Sequence, residues 1–255
     1  MNVVITGASS GLGAELAVEL ARRGHAIGLV ARREEALLEV AERIRVAGGR
    51  AAIGVADVGD RAALGAAVAA IEDALGPTDI AVANAGVGGV NATTRFQLRW
   101  ATDMLRTNVD GVLNLADIVL PKMIARRSGQ FAAVSSLAGW RGLPGTGIYS
   151  ASKAAVTTCM DAWRIELAPY GVAVTTIHPG FVKTPMTAKD KNPQPFLLEA
   201  DDAARRMANG LLARKRTVEF PFQLAWIMRL AVALPAWVYE PVMSRVAHVP
   251  KPKTS

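Results

Sequence analysis

From residue 3 to about residue 178, short runs of β-branched and aliphatic residues alternate with longer segments in which apolar side chains recur every three or four positions. Consecutive βαβ units produce this pattern. Parallel strands buried on both faces read as continuous apolar runs, and the crossover helices read as amphipathic stretches. Strands are predicted at residues 3–6, 26–31, 51–55, 80–83, 130–135 and 172–178, with helices beginning near Leu12, Glu34, Asp60, Ala101 and Ser150. The expected fold is α/β, a doubly wound parallel sheet with helices on both faces. No internal repeat, low-complexity tract or Gly/Ser linker interrupts the alternation, so residues 1–255 are read as one domain.

Beyond the sixth strand the pattern changes. Residues 185–200 have the composition of a loop, polar at its centre but bearing Met186, Phe196, Leu197 and Leu198. With Trp140, Leu143, Val87 and Val90 these suggest an apolar pocket, although the same residues would serve equally to dock the loop onto the core. A helix near 201–213 and a strand at 217–220 lead into two Pro-bounded apolar segments, 222–234 and 236–247, read as an apolar helical extension. Pro221, Gln223, Arg229 and Pro235 interrupt the extension, which argues against a spanning helix. Trp226, Ile227, Leu230, Ala233 and Leu234 can share one helix face, extended by Trp237, Val238 and Met243. Flanking Arg214, Lys215, Arg216, Lys251 and Lys253 suit an anionic membrane surface. A subunit interface and a cover over a substrate mouth are the competing readings.

Composition narrows the class. At 51% apolar and 20% charged, the chain is neither disordered nor fibrous, and a single cysteine, Cys159, excludes a disulfide framework. Cys159 reads as a packing residue within the helix that starts near Ser150. His25, His178 and His248 form no ligand cluster, so no metal is expected. The formal charge of +7 is uneven: residues 183–255 carry 12 Lys/Arg against 6 Asp/Glu, and the rest is nearly balanced. No nucleic-acid-binding motif accompanies this excess, and no nucleic-acid partner is expected. Met1 and Asn2 lead straight into a strand-like run without a signal-peptide pattern, which gives a cytoplasmic expectation.

Candidate chemistry begins at the first βα turn, Thr6-Gly7-Ala8-Ser9-Ser10-Gly11-Leu12-Gly13. A dinucleotide fold needs glycines there: Gly7 for the tight turn, Gly11 for close approach to pyrophosphate, and Gly13 for helix packing. The following helix N-terminus offers free N–H groups to phosphate. The expected sheet is therefore Rossmann-like. At the end of the second strand no acid is available to hold a ribose 2′-hydroxyl; Arg32 and Arg33 follow instead, which favours NADP(H) over NAD(H). The alternative is that both arginines are solvated at the helix start, paired with Glu34 or Glu35.

After the fifth strand come Ser135 and Ser136, and then Tyr149 and Lys153 at the start of a helix. A spacing of four puts the phenol and the ammonium on one face, where the ammonium is expected to lower the phenol pKa and make Tyr149 an acid and base. Ser136 leaves the ligand-binding edge of the sheet and can hydrogen-bond a substrate oxygen.

The turn Thr6 to Gly13, the triplet Asn84-Ala85-Gly86 and the pair Tyr149, Lys153 together resemble the short-chain dehydrogenase/reductase family. Asp57, Asn108, Ser136 and Pro179-Gly180 agree in order and spacing, and the resemblance extends to about residue 220. It implies Tyr149 as catalytic acid/base, Lys153 as its pKa modulator and holder of the nicotinamide ribose, Ser136 as anchor of the substrate oxygen, and Asn108 as part of a proton relay. It further implies Asp57 and Val58 at the adenine and Asn84 to Gly86 beneath the adenosine ribose. Pro179, Gly180, Val182 and Thr184 would border the carboxamide. Ser9, Ser10 and Leu12 complete the phosphate turn. The implied activity is NADP(H)-dependent interconversion of a carbonyl and a secondary alcohol (EC 1.1.1.-) in a homodimer or homotetramer; with the apolar loop residues and membrane contact by the C-terminal segments, the expected role is reductase of a lipophilic small molecule. The competing reading is a catalytically silent NADP-binding regulator or membrane-associated scaffold.

Overall fold

In β1 (Asn2–Thr6), Val3 and Ile5 enter one apolar layer while Val4 enters the opposite one. The same period-two division runs through β2 (Ala26–Ala31), β4 (Ile80–Ala83) and β5 (Gly129–Val134). Ile27, Leu29, Ile80, Val82, Ala132 and Val134 share a layer with Val3, whereas Val30, Ala81, Phe131 and Ala133 lie with Val4. A computed structural model describes residues 1–89, 93–189 and 193–246. Among these, β3 (Arg50–Val55), β6 (Val172–Pro179) and β7 (Thr217–Phe220) complete a seven-stranded parallel sheet of order β3-β2-β1-β4-β5-β6-β7.

One layer is covered by α1 (Gly11–Arg22), α2 (Glu34–Val46) and α7 (Ala200–Leu212), through Leu16, Leu20, Leu37, Ile44, Met207 and Leu211. The other is covered by α3 (Arg61–Leu75), α5 (Gly111–Ala125) and α6 (Gly147–Leu167), through Leu64, Ile71, Leu115, Val119, Val156 and Met160. Burying each large aliphatic side chain contributes about 1.5–3 kcal/mol, so the two layers dominate the energetics. Strand ends exceed the apolar runs where ladder pairing recruits Asn2, Arg50, Gly129 and Pro179. Ser135 lies just past β5, although its N–H still reaches the Ile177 carbonyl at 2.7 Å.

Between β4 and β5 the pattern predicts one helix from near Ala101, and the structure differs. α4 (Leu98–Leu105) starts earlier and is separated from α5 by a π-helical turn, Arg106–Asp110. Helical periodicity does not reveal an inserted residue of this kind, and such turns concentrate at functional sites.

After β7 come α8 (Phe222–Ala233) and α9 (Ala236–Val246). Ala225, Met228 and Leu224 pack on Leu137, Trp140 and Leu143, while Trp226, Ile227, Leu230, Leu234 and the 77%-exposed Trp237 face outward. Arg141 donates to the carbonyls of Ala231, Val232 and Leu234 at the end of α8, and its guanidinium stacks 3.7 Å from the centroid of the Tyr239 ring. The Tyr239 hydroxyl donates to the Gly142 carbonyl at 2.7 Å. Val90, His248, Lys251 and Lys253, the polar centre of the loop at 190–192 and the last residue of the segment 236–247 lie outside the described residues.

Candidate active site

Strand order reverses between β1 and β4, and at their carboxyl ends this opens a cleft of about 350 Å³. The turn Thr6 to Gly13 forms one wall. Thr6 ties it to the neighbouring strand, its hydroxyl accepting from the N–H groups of Asn84 and Ala85 at 3.1 Å each. Asn84 Nδ2 returns a bond to the Thr6 carbonyl at 2.9 Å. Gly7 has φ +67°, and a Cβ there would lie 2.7 Å from Ala85 Cα. At Gly13 a Cβ would meet Asn84 Nδ2 at 2.3 Å and the Gly7 carbonyl oxygen at 2.5 Å. Gly7 and Gly13 thus let α1 start directly against the Asn84-Ala85-Gly86 turn. Ser10, at the N-cap of α1, makes no side-chain cap bond, and no acid lies in the first turn. The start of α1 is therefore open to an anion, and the residues fit a dinucleotide pyrophosphate.

The two arginines after β2 have separate partners. Arg33 donates to the hydroxyls of Ser9 at 3.1 Å and Ser10 at 2.9 Å, while Arg32 stands 3.8 Å from an Asp57 carboxylate oxygen. The alternative pairing with Glu34 or Glu35 is not the arrangement observed. Asp57 also accepts from the Gly59 N–H at 2.9 Å, and the Val58 carbonyl accepts from Asn114. All four residues line the cleft, as do Gly7, Ser9, Ser10, Gly11, Leu12, Gly13, Asn84, Ala85, Gly86, Pro179, Gly180, Val182 and Thr184.

Ser136, Tyr149 and Lys153 converge at the far end of the same cleft. Ser136 leaves β5, accepts from the Ala138 N–H at 3.1 Å, donates to the Pro179 carbonyl at 3.4 Å and hydrogen-bonds the Tyr149 phenol. Lys153 is buried; its ammonium donates to the Val134 carbonyl at 2.7 Å and lies 5.9 Å from the centroid of the Tyr149 ring. The expected lowering of the Tyr149 pKa is corrected here. Desolvation among the cleft walls raises it, outweighing the hydrogen bond with Ser136. Desolvation also lowers the Lys153 pKa to about 8, which leaves it mostly protonated at neutral pH.

Asn108 does not line the cleft. The π-helical turn buries it completely, with Oδ1 accepting from the Val87 N–H at 2.8 Å and Nδ2 donating to the Val87 carbonyl and to Ser152 Oγ at 3.0 Å each. It nevertheless approaches the catalytic end: a Cβ at Gly86 would lie 3.4 Å from both Asn108 Oδ1 and Lys153 Nζ. Thr107, Ser135 and Thr187 line the cleft without having been singled out as site residues. Thr107 is reachable in sequence as the neighbour of Asn108, whereas Thr187 enters through its bond to the Val182 carbonyl at 2.6 Å.

The expected apolar pocket divides. Met186 and Val87 line the cleft, Leu198 packs on the core, and Phe196 and Leu197 are exposed. Trp140 and Leu143 pack against α8. A Cβ at Gly88 would lie 3.1 Å from Met186 Sδ and 3.5 Å from the Tyr149 ring, and one at Gly180 would lie 2.7 Å from Leu224. Glycine at both positions lets Met186, Tyr149 and Leu224 pack closely against the backbone.

A family model described as short chain dehydrogenase matches residues 1–195. A Myxococcus xanthus (strain DK1622) protein named as an uncharacterized oxidoreductase is 40% identical over 243 residues, 95% of this chain and 96% of that one. Among solved structures, a variant actinorhodin polyketide ketoreductase with NADPH superposes with a TM-score of 0.80 at 28% identity, covering 88% of this chain and 97% of the other. A short-chain dehydrogenase from Sphingobium yanoikuyae in complex with NADPH gives 0.80 at 26% identity, covering 99% and 98%.

Proposed function

Because this chain belongs to the short-chain dehydrogenase/reductase family, nicotinamide-dependent oxidoreductases acting on CH–OH groups, we propose that it reduces a lipophilic ketone to the secondary alcohol with NADPH. The observation that carries this reading is the convergence of Ser136, Tyr149 and Lys153 on the cleft that the glycine turn opens. The nicotinamide supplies the hydride when it is bound. Ser136 donates to the carbonyl oxygen and stabilises the charge that develops there. Tyr149, held neutral by its raised pKa, gives its phenolic proton to the alkoxide oxygen. Lys153 stays cationic near neutral pH, holds the ribose hydroxyls and stabilises the phenolate left behind. Asn108, across Gly86 from the ammonium, belongs to the path by which that proton is restored.

Preference for NADP is supported by the arginine pair. Arg33 reaching over Ser9 and Ser10, with Arg32 beside Asp57, frames a position of opposite charge to a 2′-phosphate. Both NADPH-bound relatives are consistent with that reading. Met186 and Val87 in the cleft support an apolar substrate. The outward face of α8 and α9 is read as a contact surface for an anionic membrane or for a second copy of the chain. No helix among the described residues is long and apolar enough to cross a membrane.

Titration with NADPH and NADH, followed by nicotinamide fluorescence and then by addition of small and lipophilic ketones, tests the proposal. Tighter binding of NADPH, oxidation by a ketone, and loss of that oxidation in Tyr149→Phe with cofactor binding retained are the expected results. Undiminished turnover by Tyr149→Phe would overturn the assigned proton transfer.

A further inference from the structure

Ser136 and Trp140 are joined through one buried imidazole. His178, the residue before Pro179 on β6, is 3% exposed. Its Nδ1 accepts from Trp140 Nε1 at 3.2 Å, with ring centroids 5.4 Å apart. A nitrogen that accepts carries no proton, so the neutral ring bears its hydrogen on Nε2. The Ser136 backbone carbonyl lies against the same ring and favours its protonated form. Burial pulls the His178 pKa down to about 4, against the opposing influence of the Ser136 carbonyl and Asp161 and with the help of Arg164 and Arg229. The acceptor at Nδ1 is therefore present throughout the neutral range.

The chain of contacts continues outward. The Trp140 ring lies 5.4 Å from the Arg229 guanidinium, and Arg229 pairs with Glu219, which stands opposite His178 in the β6–β7 register. Inward, the Ser136 hydroxyl donates to the carbonyl of Pro179, the residue next to His178, and bonds the Tyr149 phenol. Neither the proton transfer nor the cofactor contacts proposed above use His178.

We propose that His178 is a positioning residue for carbonyl reduction: held between Trp140 Nε1 and the Ser136 backbone carbonyl, it fixes where the Ser136 hydroxyl meets the reacting oxygen. Through Trp140 and Arg229 it also ties that geometry to α8. The inference rests on the reading of Ser136 as the substrate-oxygen anchor.

The test uses the full chain with NADPH and 2-decanone as the probe ketone, comparing His178→Leu, His178→Gln, Ser136→Ala and the double variant Ser136→Ala/His178→Leu. Small displacements of a reacting group cost up to about 100-fold in rate, so His178→Leu is expected to lower kcat about 10- to 100-fold with the NADPH Kd within about twofold. His178→Gln, which keeps a donor for the Ser136 carbonyl, is expected to recover most of the loss. In the Ser136→Ala background, His178→Leu should add less than about twofold, because the two act as one unit. An undiminished kcat in His178→Leu, or an equal loss in both backgrounds, overturns the proposal. An undiminished kcat in Ser136→Ala instead overturns the reading of Ser136. Nitrogen-15 spectra of the imidazoles give a readout independent of turnover: His178 is expected neutral with Nε2 protonated at pH 6, and a proton on Nδ1 or titration near 6.5 overturns the assignment.

Discussion

The Lys153 ammonium is bonded to the carbonyl of Val134 at 2.7 Å and lies 5.9 Å from the centroid of the Tyr149 ring, so its hydrogen bond is to the end of β5 and not to the phenol. A buried cation bonded to a neutral carbonyl and a phenol that resists ionisation therefore share one end of the cleft.

That arrangement has a pH signature. The Lys153 pKa falls from 10.5 when unfolded to about 8 when folded, so between those values the unfolded chain binds more protons than the native one. Stability contributed by this group therefore rises as pH increases from about 8 to about 10.5. Lys153→Met removes the term: its advantage over the parent in chemical denaturation is expected to be larger at pH 7 than at pH 10. An equal difference at both values would show that the ammonium is not desolvated.

Arg33 meets Ser9 and Ser10 at the position assigned to the 2′-phosphate. Hydrogen bonds to a charged group contribute about 1.5–3 kcal/mol, so Arg33→Ala is expected to weaken NADPH about 10- to 100-fold and NADH by less than about threefold. Equal losses in the two fluorescence titrations would exclude a phosphate-reading role.

Gly13 has no room for a methyl group, whereas Gly147, at the start of α6, has open space around it. Overpacking costs about 1–3 kcal/mol, and here the clashing atoms include the Gly7 carbonyl. Gly13→Ala is expected to lower stability by that amount and to abolish dinucleotide binding. Gly147→Ala should do neither. Thermal melts with and without NADPH compare the two.

Arg141 satisfies three carbonyls at the end of α8 and stacks on Tyr239. Arg141→Ala is expected to cost about 1–3 kcal/mol, read by urea denaturation, while leaving the NADPH Kd unchanged. A matching loss of cofactor affinity would place Arg141 in a different role.

Much of this is legible in the sequence because it depends on local rules. The alternation of Val3, Val4 and Ile5 between layers, the glycines at 7, 11 and 13, and the four-residue spacing of Tyr149 and Lys153 each act within one turn or strand. What escaped depends on partners distant in the chain. Spacing put the ammonium near the phenol, but its preference for the Val134 carbonyl and the burial that raises the Tyr149 pKa come from the packed cleft. The resemblance implies a relay role for Asn108, but no periodicity marks the π turn that buries it away from the cleft. The partners of Arg32 and Arg33 lie 25 and about 24 residues away, beyond a reading confined to the nearer Glu34 and Glu35. His178 looked like a solitary histidine until β6 and the loop after β5 brought Trp140 to it.

The family match ends at residue 195, yet the packing behind the carbonyl end of the cleft comes from later in the chain, where Leu224 abuts Gly180 and Met228 supports Leu137 and Trp140. Nucleotide contacts and this outer buttress thus occupy separate stretches of sequence. On the proposed function, a chimera carrying another member's residues over 222–246 is expected to alter the ketone accepted without changing one residue that lines the cleft, so that selectivity would diverge by exchange of a terminal cassette while the glycine-turn half of the molecule is inherited whole.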